Sequence, residues 1–323
     1  MKNKTKIKNR KTKNKESVPQ NRRSLGRGLE LLSHVSATAT NPSRNQPRPT
    51  TDLTARVICI ASGKGGTGKS VVTSNIGCHF ARMGHRVVVL DADMGLGNIH
   101  LLLNVQPQHN VLDLLQGQTD MEGIIMDTPF GLQLISGGSG LMELADLSRH
   151  QVETLANLFI ELEQIVDLLL IDTAAGISPQ TMMFLHAANE IIIVVTPEIT
   201  AIMDAYATIK STVQFNRSAL IGLVVNQVKS KREGEAVFAH LNQICDRYLK
   251  KKLINYGLVN KDTSVNKAIA QRQPVRILFP ESRFSRCISR VANRMMLVGE
   301  KYGDRLTLST GSFFSRLQQQ VWI

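Results

Sequence analysis

Cysteines and aromatic residues are scarce in this sequence. Its 323 residues include four cysteines, one tryptophan and 5% aromatics. Cys59, Cys78, Cys245 and Cys287 stand apart, with no CxxC pair. That pattern argues against a disulfide framework, a structural zinc and a bridging iron–sulfur cluster, and it fits a reducing compartment. No apolar run approaches the roughly 18 residues of a membrane-spanning helix. The N-terminus is basic, but the apolar segment of a secretory signal does not follow it. Acidic residues are rare at that end. Residues 1–50 hold seven Lys and six Arg against Glu16 and Glu30, a net +11 of the chain's total +13. The basic character is therefore expected to belong to a tail and not to the folded body.

The composition divides the chain. Residues 1–52 read as a basic disordered tail and linker, because a stretch of Lys, Asn, Arg and Thr has no apolar surface to bury. A solubilising role and a role as a nucleic-acid or anionic-lipid arm both remain open for it. From Arg56 onward, short apolar runs alternate with helical periods. Strands are expected at Val57–Ala61, Arg86–Leu90, Gly131–Ile135, Leu168–Asp172, Ile191–Thr196 and Leu220–Asn226, with helices between them. That alternation predicts an α/β fold, a doubly wound and mostly parallel sheet covered on both faces, over residues 53–300. Ligands of such sheets bind beyond the carboxyl ends of the strands.

The sequence motifs fall at those ends. Gly63-Lys64-Gly65-Gly66-Thr67-Gly68-Lys69-Ser70 matches GxxxxGK followed by Ser or Thr, set between a strand and a helix. The glycines allow backbone N–H groups to wrap phosphates, and the helix start adds its positive end. Lys69 is expected to reach the β and γ phosphates and Ser70 to ligate Mg²⁺, with Val71 completing the nucleotide-binding run. Asp91 and Asp93 follow the second strand. Leu168 to Ile171 is an apolar strand that ends in Asp172, the pattern of a carboxylate holding Mg²⁺.

With Lys64 as an extra cation inside the loop, the motif resembles the deviant Walker signature of the MinD/ParA class of P-loop ATPases. The resemblance covers residues 55–300. It implies that Lys64 crosses a dimer interface to phosphates held by the partner subunit. It also implies that Asp93 orients the attacking water, that Asp91 supports the Mg²⁺ shell, and that Thr173 to Gly176 form a second switch. By the same resemblance Asn226 reads the adenine edge and Asp262 sits in a second loop near the base. Asn260 stands where the class usually has Pro.

Several segments resemble the flagellar-number regulators of this class (FlhG, also called FleN or YlxH). They are Asp91–Asn98, Asn110–Leu115, Leu134–Gly140 with Glu143-Leu144-Ala145, Asp172–Ser178, and Thr196-Pro197-Glu198 with Asp204–Ala207. That branch implies an ATP-dependent homodimer, slow partner-stimulated hydrolysis, an SRP-type GTPase (FlhF) and basal-body or regulatory proteins as partners. The implied location is cytoplasmic, peripheral to the inner membrane. The branch's N-terminal DQAxxLR element is absent. Ser24–Glu30 instead resembles the N-terminal peptide of ParB proteins. At the other end, Phe313, Phe314, Leu317 and Val321 share a helical face, extended by Trp322 and Ile323. Residues 311–323 are expected to lie on a membrane surface, and docking on the protein's own core is the competing reading. A ParA-type partition ATPase, binding DNA through the basic tail, is the alternative function. A metabolic ligase on the same scaffold would need a polar substrate constellation that the sequence does not offer.

Overall fold

The computed structural model describes residues 55–93, 97–138, 149–307 and 312–320. The tail, the Ser24–Glu30 segment, residues 94–96, most of the Gly137–Ala145 stretch, and Val321, Trp322 and Ile323 lie outside the described residues.

The sheet is built from β1 (Arg56–Ser62), β2 (Val87–Ala92), β3 (Ile125–Asp127), β4 (Gln133–Ser136), β5 (Leu168–Ala175), β6 (Glu190–Val195), β7 (Leu220–Val228) and β8 (Ile254–Asn260). Their order is β3-β4-β2-β5-β1-β6-β7-β8. Every described pairing is parallel except β3 with β4, a short antiparallel edge. β3 and β8 carry no period or motif strong enough to have been expected from the sequence. β6 reads as one continuous apolar run, because it is buried on both faces.

The helices relevant to the site are α1 (Lys69–Arg82), α2 (Arg149–Ile165), α3 (Pro179–Ala187), α4 (Ile199–Phe215), α5 (Lys231–Ile244), α6 (Thr263–Ala270), α7 (Arg283–Thr307) and α8 (Phe313–Gln320). Alternation along β1 sends Cys59 and Ala61 to one core layer, with α2, α3, α4, α5 and α8. Ile58 and Ile60 join the other layer, with α1, α6 and α7. The four cysteines are buried and free. No described helix is long and apolar enough to cross a membrane.

One buried ion network fixes the end of the sheet remote from the motifs. The Arg56 guanidinium grips both Glu190 oxygens at 2.8 and 2.7 Å and donates to the Met295 carbonyl at 2.6 Å. The Tyr256 hydroxyl donates to the same carboxylate. The fork ties β1, β6, β8 and α7 together, and its planar geometry leaves neither oxygen unpaired.

The C-terminal helix packs on its own body. Phe314 stacks on Phe159 of α2 with centroids 4.3 Å apart, and Phe313 faces Phe184 of α3 at 6.4 Å. Leu317 is buried beside them. The Phe314 N–H donates to Glu163 Oε1 at 3.2 Å, and Arg316 Nε donates to the Ala187 carbonyl at 2.8 Å. Burial raises the Glu163 carboxyl above its usual range, against the N–H groups of Phe314 and Phe313. The expected membrane face of residues 313–317 is therefore interior in this conformation. An apolar helical face serves a core and a lipid surface alike, so the sequence did not discriminate between them.

His79 of α1 is buried, with neither ring nitrogen partnered among the described residues. Burial, then Arg276 and Arg82, push it down to about 4. The unfolded chain takes up a proton near pH 6.5 and the folded one resists until about 4, so stability falls as pH drops through that window. The shift corresponds to about 3 kcal/mol at most. Urea unfolding at roughly pH 7 and pH 5 should show the wild type losing stability that His79→Leu keeps.

Candidate functional site

The carboxyl ends of β1, β2, β5 and β7 bring the predicted residues together. The loop after β1 turns at Gly66 and Gly68, whose φ angles of 79° and 83° favour glycine. A Cβ at Gly68 would also lie 2.5 Å from the Asn226 amide, and one at Gly63 would collide with the Asp204–Ala205 backbone of α4. Gly65 is open, with nothing in reach of a Cβ. Lys69 and Ser70 begin α1 at the loop's end. Val71 is half-buried against the core layer beneath α1, and its carbonyl accepts from Asn75 Nδ2 at 2.8 Å.

Asp172 at the β5 end is the focus. It is fully buried and accepts from Ser70 Oγ at 2.6 Å and from Thr73 Oγ1 at 2.7 Å. Lys69 Nζ lies 2.7 Å from it. Asp91 is its direct neighbour across the β2–β5 register. Asp91 receives the N–H groups of Ile99 at 3.1 Å and Asp93 at 3.3 Å. Burial and then Asp172 push the Asp91 carboxyl up to about 7, against those two N–H groups and Lys69. Two close carboxylates in a dry site resist joint ionisation until a cation joins them. Asp93 is half-buried at the start of the segment that lies outside the described residues.

The residues fit a nucleotide with its metal. The Thr67 hydroxyl in the loop is buried with no partner among the described residues. That orphan, beside glycine-supported backbone N–H groups, suits a phosphate oxygen. Asp91, Asp172 and the Ser70 hydroxyl suit Mg²⁺, which takes one or two carboxylates along with substrate oxygens and water. No cluster of three or more His, Cys, Asp or Glu suited to a metal occurs among the described residues. An all-protein metal cage is therefore not the chemistry offered there.

Lys64 does not face Lys69 or Asp172. Its ammonium points outward, donating to Glu198 Oε2 at 3.2 Å and Thr200 Oγ1 at 3.0 Å. Both ends of the pair are exposed, 43% for Lys64 and 67% for Glu198. Ile199, between Glu198 and Thr200 in the chain, is exposed, as are Ile177 and Met203, whose chain neighbours Gly176 and Asp204 lie against Gly63.

Asn226 is buried and donates to the Thr67 carbonyl at 2.8 Å, bracing the phosphate loop. Asp262 has both carboxylate oxygens engaged in capping. One accepts from Ser264 N at 2.9 Å at the start of α6, the other from Phe284 N at 3.0 Å at the start of α7. Burial would raise Asp262, but those N–H groups outweigh it and hold the carboxyl below its usual range.

Three contributors were missed from the sequence. Thr73 lies one turn beyond Ser70, and that spacing was a usable signal. Gln227 holds a positive φ of 59° and donates to the Gly66 carbonyl at 3.2 Å. The Glu198–Thr200 clasp is over 130 residues from Lys64. Nothing local in the sequence joins them.

Comparison with known proteins agrees with this geometry. The CobQ/CobB/MinD/ParA nucleotide binding domain matches residues 58–275. The antiactivator FleN of Pseudomonas aeruginosa is 34% identical over 240 residues, 74% of this chain and 86% of that protein. The flagellum site-determining protein YlxH of Helicobacter pylori is 32% identical over 81% of this chain and 89% of its own length. The septum site-determining protein MinD of Pyrococcus horikoshii, complexed with Mg-ADP, shares the fold with a TM-score of 0.62. It is 24% identical and aligns over 76% of this chain and 98% of its own. The phosphate loop on β1, the paired aspartates of β2 and β5, and these matches establish that the chain belongs to the CobQ/CobB/MinD/ParA family of nucleotide-binding proteins.

Proposed function

We propose that the protein is an ATP-hydrolysing switch that dimerises over two nucleotides and sets flagellar number or placement. The observation that carries this reading is Lys64. A lysine in a phosphate-binding loop that points away from its own cradle to exposed Glu198 and Thr200, which flank exposed Ile199, suits a partner subunit's phosphates. Its clasp with Glu198 is an exposed ion pair, worth about 1 kcal/mol or less. A second copy can therefore draw it off cheaply.

With nucleotide bound, Lys69 would turn from Asp172 to the β and γ phosphates. Ser70 and Asp172 would hold Mg²⁺ with Asp91 in support, and Asp93 would orient the attacking water. Mg²⁺ supplies charge neutralisation at the phosphates. The Gly63–Val71 backbone wraps the phosphates, Thr73 holds Asp172 in place, and Asn226 and Asp262 flank the base. The folded ATPase unit is taken as residues 53–300. The names of the relatives, antiactivator FleN and flagellum site-determining YlxH, support the flagellar setting. An SRP-type GTPase and basal-body proteins are the partners proposed with it.

Membrane residence is proposed through α8. Undocking exposes Phe313, Phe314 and Leu317, at about 1.5–3 kcal/mol each. A lipid surface buries the same side chains again, so a small bias decides between the two sites. α3 follows Thr173–Ser178 directly and forms one wall of the α8 groove. Closure of that segment around nucleotide is the proposed bias, and a dimer offers two such helices at once.

The test of catalysis is phosphate release with and without Mg²⁺, in the wild type and in Asp93→Ala. Magnesium-dependent turnover lost in Asp93→Ala is the expected result. Turnover unchanged by Asp93→Ala would remove that residue from the water-positioning role.

A further inference from the structure

Successive side chains of a strand point to opposite faces. The end of β7 departs from this, because two successive amides reach the same loop. Asn226 Nδ2 donates to the Thr67 carbonyl at 2.8 Å, and Gln227 Nε2 donates to the Gly66 carbonyl at 3.2 Å. Gln227 sits in the left-handed region, with a φ of 59°. The register with β8 also slips there. Val225 faces Leu258 and Val228 faces Asn260, three steps along β7 against two along β8. Such a bulge re-aims side chains beside a site. Asn226 Oδ1 accepts from the Gln227 N–H at 2.9 Å, which holds the kink in place.

The left-handed region is routine for glycine and occasional for Asn and Asp, but unfavourable for glutamine. Strain of this kind persists where neighbouring structure holds it, and it gathers at ligand clamps. Here it serves to hold two consecutive carbonyls. In a trans peptide the C=O and N–H point in opposite directions. The Gly66 carbonyl shares its peptide with the Thr67 N–H, and the Thr67 carbonyl shares its peptide with the Gly68 N–H. Drawing both carbonyls toward β7 therefore turns both N–H groups away from it. Neither N–H finds an acceptor among the described residues. The Thr67 hydroxyl of the same turn is also buried without a partner there. The turn thus presents unused donors on the side away from the two amides.

We propose that Gln227 is a positioning residue for phosphate binding. With Asn226 it sets the Gly66–Thr67 and Thr67–Gly68 peptides in the orientation that receives a nucleotide's phosphates, before the nucleotide arrives. Gln227 acts through the Gly66 carbonyl and not on the ligand itself. Donors fixed beforehand lose less freedom on binding, so backbone strain in β7 is converted into affinity at the loop. The inference rests on nucleotide binding in this loop and is independent of the dimer and flagellar readings.

The test is calorimetric titration of the full chain with Mg-ADP, beside thermal melting of the nucleotide-free protein. It compares the wild type, Gln227→Gly and Gln227→Asn. Glycine removes the amide and accepts the left-handed φ. Asparagine also accepts that φ, but its amide is one carbon shorter and falls short of the Gly66 carbonyl. Both variants should melt close to the wild type, because the relieved backbone offsets the lost hydrogen bond. Both should bind Mg-ADP about fivefold or more weakly, the effect of one neutral hydrogen bond. Affinity lost only in step with a lowered melting temperature would overturn the proposal in favour of a structural role. Unchanged affinity in both variants, with a wild type that binds, would overturn this inference alone. A wild-type chain that binds no Mg-ADP would overturn it together with the nucleotide reading.

Discussion

Lys69→Ala should abolish ATP turnover, lowering it by about 10²–10³-fold or more. Lys69 is the one buried lysine of the site, and its ammonium sits 2.7 Å from Asp172. Phosphoryl transfer relies on positioning and electrostatics, so a missing cation at the β and γ phosphates is not replaced by solvent. The variant should also lose some stability without nucleotide, because buried Asp172 loses its Lys69 partner. Breaking a buried pair costs about 3–5 kcal/mol. The Ser70 and Thr73 hydroxyls still donate to Asp172, so the loss should fall at the low end of that range. Phosphate release and thermal melting with and without Mg-ATP check both parts. The wild type should gain stability from the nucleotide, and the variant should not.

The second large effect concerns α8, where two substitutions should act in opposite directions. Phe159→Ala empties the groove side of the Phe159–Phe314 stack and should cost the docked helix about 3–5 kcal/mol. The helix keeps its own apolar face, so anionic vesicles should recruit this variant without ATP. Phe314→Asp also breaks docking, but it places a charge on the helix face and should remove vesicle binding altogether. Vesicle flotation reads both. If α8 is a permanent part of the core, both variants lose stability and neither responds to lipid.

Much of the site was legible because its signals are local. A glycine-rich loop after an apolar strand, and aspartates at the ends of β2 and β5, are contiguous patterns set by the backbone. The central strands were legible for the same reason, since burial on both faces leaves an apolar run such as Leu168 to Ile171. β8 buries only Tyr256 and Val259 among half-buried neighbours and gives no such run. Lys64 was legible as a departure from the usual loop, while its clasp was not, because Glu198 and Thr200 arrive through sheet topology. Asp262 was noticed for its place in a loop, yet its oxygens cap α6 and α7, a role fixed by two helix starts 20 residues apart.

The central claim is that nucleotide switches this chain between one copy and two, with Lys64 acting across the interface. Size exclusion with light scattering, in ATP and in ADP, tests it most directly in the wild type, Lys64→Ala and Asp93→Ala. The account predicts a dimer with ATP and a monomer with ADP, a dimer that persists in Asp93→Ala, and none in Lys64→Ala. A wild-type chain that stays monomeric while saturated with ATP would contradict it.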